Sequence, residues 1–423
     1  MIQHESDPVI AFTGGIGAQP ALLSRRRMPL TVRPPHRLDL SLPAWLGAVA
    51  ALRHNDATAA RGTLEGVWAP AGDGLAFLSV RSAFDCALTV LDWPAGTEVL
   101  VSAVNIREMI ELLSLHGLVA VPLDLDRETL LPTPEAIESA RTPATRGLLL
   151  AHLFGAAGDV GPLFERARAS GLFCFEDAAQ AFQSPAERGH PLADLSFFSF
   201  GTIKTATALG GALVRVAAPS FRARMAEVQA AWPMQPRSAY GAKLARALML
   251  LGVQTTLGYS LLARACALVG SDTGALMRRM TRGFGGLPPS DMLRALRHRP
   301  CAPLLAVLLA RLASFDGARL KARRAWGLEI VLATSVPGAA HSRHAHWLIP
   351  VRVPHIETAL ATLRAGGFDA SGPSNVCALG GAVASDTLAH LVFIPAYPEL
   401  PRSARRKLLQ LIEAFHADPG ILR

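Results

Sequence analysis

Two side chains in this sequence carry chemistry that depends on their meeting. Asp177 ends the apolar run Leu172-Phe173-Cys174-Phe175-Glu176-Asp177, and Lys204 follows a second run, Leu195 to Phe200, by way of Gly201-Thr202-Ile203. Short continuous apolar runs of this kind read as strands buried on both faces, the pattern of a parallel sheet. In an open α/β sheet ligands sit in the crevice beyond the C-terminal strand ends, so an anion and an amine leave neighbouring strands toward a shared space. A lysine amine adds to an aldehyde to give a Schiff base, and a carboxylate beside a pyridine nitrogen keeps that nitrogen protonated and the ring electron-poor. The pair suggests pyridoxal phosphate chemistry.

The wording around the two residues sharpens this. FEDAAQA followed by FFSFGTIK resembles the DegT/StrS family of pyridoxal-phosphate aminotransferases, known from nucleotide-sugar pathways. The resemblance implies Lys204 as the Schiff-base lysine, Asp177 as the partner of the pyridine nitrogen and Gln180 as the partner of the ring hydroxyl. It also implies Ala179 against one ring face and Ser199 as a phosphate ligand. Further upstream, a short strand at 75–79 runs into a helix opening at Val80, and a strand followed by a helix N-terminus is an anion site. Ser79-Val80-Arg81 there resembles the family's SGT-type phosphate turn, with valine for glycine and arginine for threonine, and Ser82 adds a hydroxyl. Arg81 would replace backbone contact by charge pairing.

Three further positions follow from the same resemblance. Ile106 stands where the family places an aromatic side chain on the cofactor ring; apolar contact survives the change and stacking does not. His152 leaves the strand LLLAHLFG, similar to the family's HLYG, and reads either as a structural histidine or as a site residue, since Lys204 can itself carry the proton. Arg297, before RPCAPLLAVLLARL, stands where a family asparagine reaches the partner subunit's cofactor phosphate, or else is a solvated helix-end arginine. The family implies fold type I of the pyridoxal-phosphate-dependent transferases, an α/β architecture. It has a large domain with a mainly parallel seven-stranded sheet flanked by helices, a small α+β C-terminal domain, and homodimers whose sites draw on both subunits.

The elements that must position these residues can be laid out along the 423-residue chain. Half its residues are hydrophobic, enough for a large core and two domains. Residues 1–36, rich in Gly, Pro and Arg, read as a flexible arm, 37–230 as the cofactor-binding domain, 231–295 as an apolar helical insertion and 296–423 as the small domain. Within the insertion, 247–263 contains no charged residue. It fits a buried or interface helix, a helix seated on a membrane surface, or, at the lower limit of length, a span. The net charge of +9 is dispersed, which suits anionic cofactors, phosphorylated substrates or a membrane surface rather than nucleic acid. Five scattered cysteines without CxxC spacing, and an N-terminus lacking a basic leader before an apolar core, point to a reduced cytoplasmic protein, with peripheral contact to the inner membrane through 247–263 as an option. His341, His344 and His346 have no acidic partner nearby, and no metal is expected.

The expected function is a pyridoxal-phosphate-dependent aminotransferase. It would take an amino group from an amino acid, glutamate in the first instance, and give it to a nucleotide-linked keto-sugar or a lipid-like carbonyl compound. A lyase or dehydratase would have histidine in place of Lys204; a non-catalytic scaffold would draw its support from the changes at Val80, Arg81 and Ile106.

Overall fold

A computed structural model describes residues 29–281, 288–341, 343–374 and 376–417. Its strands are, in chain order, β1 (Gly74–Phe77), β2 (Glu98–Ser102), β3 (Val104–Asn105), β4 (Val119–Leu123), β5 (Thr145–Ala151), β6 (Phe173–Asp177), β7 (Leu195–Ser199), β8 (Ala212–Val216), β9 (Ile349–Arg352), β10 (Cys377–Ala378) and β11 (Leu391–Ile394). Seven of them form one sheet in the order β1-β8-β7-β6-β5-β2-β4. Only β8 runs against its neighbours, pairing antiparallel with β1 and β7; the other pairings are parallel. The expected mainly parallel, seven-stranded α/β sheet is therefore present.

The strand sequences explain why both faces are covered. Successive strand residues point to opposite faces, so Leu149, Phe175 and Phe197 meet the helices Val80–Leu91, Arg107–Leu115 and Pro219–Ala230, while Leu148, Leu150 and Cys174 meet Pro134–Ala140 and Gly161–Ala169. Phe84 stands edge-on to Phe175 with centroids 5.3 Å apart and to Phe197 at 6.1 Å, pinning the helix that opens at Val80 to the middle of the sheet. Truncating such a buried ring to alanine costs about 3–5 kcal/mol. Helix starts are written in the sequence: Ser79 Oγ accepts the Ser82 N–H, and Asp56 accepts the N–H groups of Thr58 and Ala59 at the start of Ala57–Trp68.

The C-terminal part packs helices Gly317–Ala333, Ile356–Ala365 and Arg402–Ala417 against the β9–β11 pair, around Trp326, Val351, Ile394 and Leu408. Helix Ala302–Ala313 does not join them. Its Leu304, Leu305, Leu308 and Leu312 enter the core made by Leu64, Trp68, Phe198 and Leu213, so the boundary expected at 296 falls inside the large-domain core. The ribbon β3–β10 crosses between the two parts by pairing Asn105 with Cys377.

The region 231–295 is helical, with Arg237–Val253, Thr256–Leu268, Thr273–Thr281 and Pro289–Leu296. The uncharged stretch 247–263 is not one helix. It breaks at Gln254-Thr255, where the Thr255 hydroxyl accepts the Gly258 N–H and starts the second helix. Ala247, Leu250, Tyr259 and Ala263 are buried, whereas Leu248, Met249, Leu257 and Leu261 are exposed. Among the described residues no helix is long and apolar enough to cross a membrane. Of the expected N-terminal arm, residues 1–28, with Arg25-Arg26-Arg27, lie outside the described residues. Within 29–36, Leu30 is exposed, but Val32 is buried and Arg33 pairs with Phe368.

Candidate active site

Parallel pairing of β6 with β7 brings the ends of both strands to one edge of the sheet, with Asp177 level with Phe197. The chain then leaves β7 through Ser199 and a tight turn in which the Lys204 N–H donates to Gly201 O at 2.9 Å. Asp177 and Lys204 consequently face the same space. Burial lowers the Lys204 pKa to about 7, with Arg81 pushing the same way and Asp177 opposing. Burial likewise raises that of Asp177, against the Ala179 N–H it accepts at 2.9 Å and the charge of Lys204. Burial thus favours the neutral form of both groups.

The Lys204 turn is held from three sides by residues that the sequence gave no reason to group. Lys204 Nζ lies 3.8 Å from the centroid of the Trp347 ring, and Trp347 Nε1 donates to Ile203 O at 2.8 Å. Asp39 Oδ2 accepts the N–H of Ala206, which is left-handed at φ 52°, at 2.7 Å, while Asp39 Oδ1 pairs with Arg319 Nε at 3.0 Å. On the third side, Arg323 Nη2 donates to Thr205 Oγ1 at 3.1 Å.

Ser79, Val80, Arg81 and Ser82 form the expected helix start. Ser79 Oγ lies 2.9 Å from Ser82 Oγ, and Arg81 pairs with Glu108 at 3.4 Å. Arg81 also acts electrostatically on Lys204 and is acted on by Asp177, so its charge reaches the same space. A second cation converges there. A Cβ at Gly210 would lie 3.1 Å from Lys243 Nζ, and the neighbouring Gly211 N–H bonds Leu78 O, next to Ser79. Lys243 comes from the inserted helix Arg237–Val253, whose family wording is too weak to have flagged it.

The remaining expected residues divide. Ser199 lies at the end of β7, its Oγ accepting the Gly201 N–H at 3.4 Å. Ile106 and Ala179 both pack, half-buried, on the core beneath the Val80 helix. The Gln180 side chain is anchored by Phe154, whose N–H it accepts at 2.8 Å, which leaves its amide N–H groups for other acceptors. His152 stands just past the end of β5 with Nε2 committed to Glu176 Oε1 at 3.0 Å, while its Nδ1 is buried without a partner.

Glu176 also accepts the Ser196 hydroxyl at 2.6 Å and the His190 N–H at 2.7 Å. Burial acts to raise the carboxyl's pKa, but these donors and His152 outweigh it and bring it to about 2. Gly189, at φ 79°, makes room for this cluster: a Cβ there would lie 2.1 Å from Ser196 Oγ and 2.3 Å from Glu176 Oε2.

Arg297 is held by an acidic partner. It clasps Asp85 of its own chain with Nε to Oδ2 at 2.9 Å and Nη2 to Oδ1 at 3.0 Å, because the Asp85 carboxylate is fully buried and needs a counter-ion. The histidines are likewise engaged: His341 Nε2 lies 2.6 Å from Thr129 O, and the His344 and His346 rings stack 4.0 Å apart.

This donor set fits a pyridoxal phosphate. It offers a buried amine held near neutrality, a buried carboxyl that a protonated pyridine nitrogen would keep ionised, hydroxyls and cations at a helix N-terminus, and the orphaned His152 Nδ1 nearby. Comparison with known proteins points the same way. Residues 70–243 match the sequence model of the DegT/DnrJ/EryC1/StrS aminotransferase family. Among solved structures, DesV of S. venezuelae superposes with a TM-score of 0.65 at 20% identity, covering 91% of this chain and 99% of that one. PseC of Helicobacter pylori, an aminotransferase of pseudoaminic acid biosynthesis, gives 0.65 at 13% identity over 93% and 100%. Bacillus subtilis NtdA, solved with the cofactor PMP, gives 0.67 at 14% identity over 90% and 83%. The segment that carries the sheet, Asp177 and Lys204 is thus similar to the DegT/DnrJ/EryC1/StrS aminotransferase family, and the solved structures share its fold.

Proposed function

We propose that this protein transfers an amino group from an amino acid, with glutamate as the donor, to the keto or aldehyde group of a second substrate. By the family resemblance the acceptor is a nucleotide-linked keto-sugar. The observation that carries the reading is the shared burial of Lys204 and Asp177 at adjacent strand ends, each acting electrostatically on the other.

Bound pyridoxal phosphate supplies an electron sink that lets nitrogen leave one carbon skeleton and join another. Lys204 would hold the cofactor, and its Nζ, with a pKa lowered to about 7, can give and take a proton near neutral pH. Asp177 would hold the pyridine nitrogen protonated. Ser79, Ser82, Ser199, Arg81 and Lys243 would hold the phosphate, Ala179 and Ile106 would bound the ring faces, and Gln180 would donate to the ring hydroxyl. Ile106 leaves a wider opening than an aromatic ring would, and accommodates a bulkier acceptor.

The purified protein should show the visible absorbance of lysine-bound cofactor, lost in Lys204→Ala. Incubation with glutamate should bleach it and a matching carbonyl compound should restore it. A wild-type protein that takes up no cofactor when supplied with it would end this reading. A dehydratase is disfavoured by the lysine itself, which would be histidine in that group.

A further inference from the structure

The space in front of Lys204 is walled by residues from three parts of the chain, among them Arg37, Thr205, Arg323, Trp347 and Tyr397. Of its other cations, Arg319 pairs with Asp39 and Glu399, and Arg37 lies over the Tyr397 ring.

Arg323 differs. Its side chain, on helix Gly317–Ala333, is only 8% exposed, yet among the described residues no carboxylate pairs with it. Nε donates to Ala345 O at 2.8 Å and Nη2 to Thr205 Oγ1, both neutral acceptors. Asp39 and Glu399 act on it only from a distance, and burial lowers its pKa to about 10, so it stays charged. A buried guanidinium without a counter-ion is costly, and the cost is recovered when an oxyanion arrives. The hydroxyl that Arg323 holds belongs to the residue following Lys204, so an anion seated on it lies beside the reactive amine. The planar fork of a guanidinium matches a carboxylate, and an α-amino acid carries its carboxylate one carbon from the nitrogen to be transferred.

On the reading of the site given above, we propose that Arg323 is the residue that binds the carboxylate of the amino donor. It sets the specificity for an amino acid over a simple amine.

The test uses the full-length protein and the variants Arg323→Gln and Arg323→Lys. By isothermal titration, L-glutamate binding should weaken about 10- to 100-fold in Arg323→Gln, the span expected for one charge-assisted contact. Arg323→Lys should retain part of it, and n-butylamine, which lacks a carboxylate, should bind all three proteins alike. In steady state the donor KM should rise while the acceptor KM holds. Equal loss of glutamate and n-butylamine binding would mean that Arg323 only braces Thr205 and Ala345, and would overturn the proposal. So would unchanged glutamate binding in Arg323→Gln. Inorganic phosphate that displaces glutamate and depends equally on Arg323 would overturn the carboxylate assignment in favour of a phosphate subsite. Cofactor absorbance in the same samples separates the two levels: absent in wild type, the aminotransferase reading fails; present with Arg323-independent donor binding, only this inference fails.

Discussion

Replacing Arg297 by methionine should destabilise the protein and leave cofactor binding intact. Asp85 is fully buried and accepts three hydrogen bonds, two from Arg297 and one from His116 Nε2 at 2.9 Å. Burial alone would raise the Asp85 pKa; the bonds from His116 and Arg297 overcome that and bring it below the usual carboxylate value. Breaking a buried pair by removing one partner costs about 3–5 kcal/mol, but Arg297 is itself 39% exposed and water can enter behind it. Roughly 2–3 kcal/mol is the expected loss, read from the urea midpoint at constant slope. Asp85→Leu combined with Arg297→Met should recover most of it, because the pair is then gone and nothing charged stays buried. Cofactor affinity, titrated by absorbance on the folded variant, should stay within about twofold. An Arg297→Met protein of unchanged midpoint but weakened cofactor binding would refute this account and restore the phosphate role expected from the sequence.

Three other outcomes follow from the same geometry. The Glu176 pKa is depressed in the fold, so its contribution is present above about 4.5 and lost as pH falls toward about 2; Glu176→Gln should flatten the acid limb of a stability-versus-pH curve over that window, and an unaltered limb would contradict the assignment. Because the Lys204 pKa is lowered to about 7, the rate at which cofactor-free protein combines with pyridoxal phosphate should climb through neutral pH and level off above it, whereas a rise continuing to the pKa of an ordinary lysine would show the amine to be unperturbed. Asp39→Ala removes the acceptor for Ala206 N–H and should lower kcat by roughly 10- to 100-fold through misplacement of the Lys204 turn, as a steady-state assay with saturating substrates would show.

The parts of this protein legible in its sequence are those governed by local pattern. β6 and β7 are continuous apolar runs, so their ends, and with them Asp177 and Lys204, could be placed on one sheet edge by period and topology alone. Ser79 announced a helix start by residue type and sits at one. What stayed hidden depends on meetings between distant segments. Asp39 and Ala206 are 167 positions apart, Asp85 and Arg297 are 212 apart, and nothing local to either says that they will pair. The stretch 247–263 is uncharged, and absence of charge alone does not distinguish one helix from two. The break was marked all the same: Gln254 accepts the Leu38 N–H through its side chain and the Arg37 guanidinium through its carbonyl, while Thr255 has the residue type of a cap. His152 was ambiguous for a different reason, because its partner, Glu176, could have belonged as easily to solvent as to a buried cluster.

The early residues of the described chain give one last consequence. Val32 bonds Ser260 of the inserted helices, Arg33 bonds Gly367 and Asp369 of the C-terminal part, and Asp39 reaches the backbone two residues past Lys204. A few residues thus lace together three regions. A protein shortened to begin after Leu40 would keep the full sheet and both ionisable partners of the ring, yet lose all of these ties. It would fold into something that looks right and works poorly.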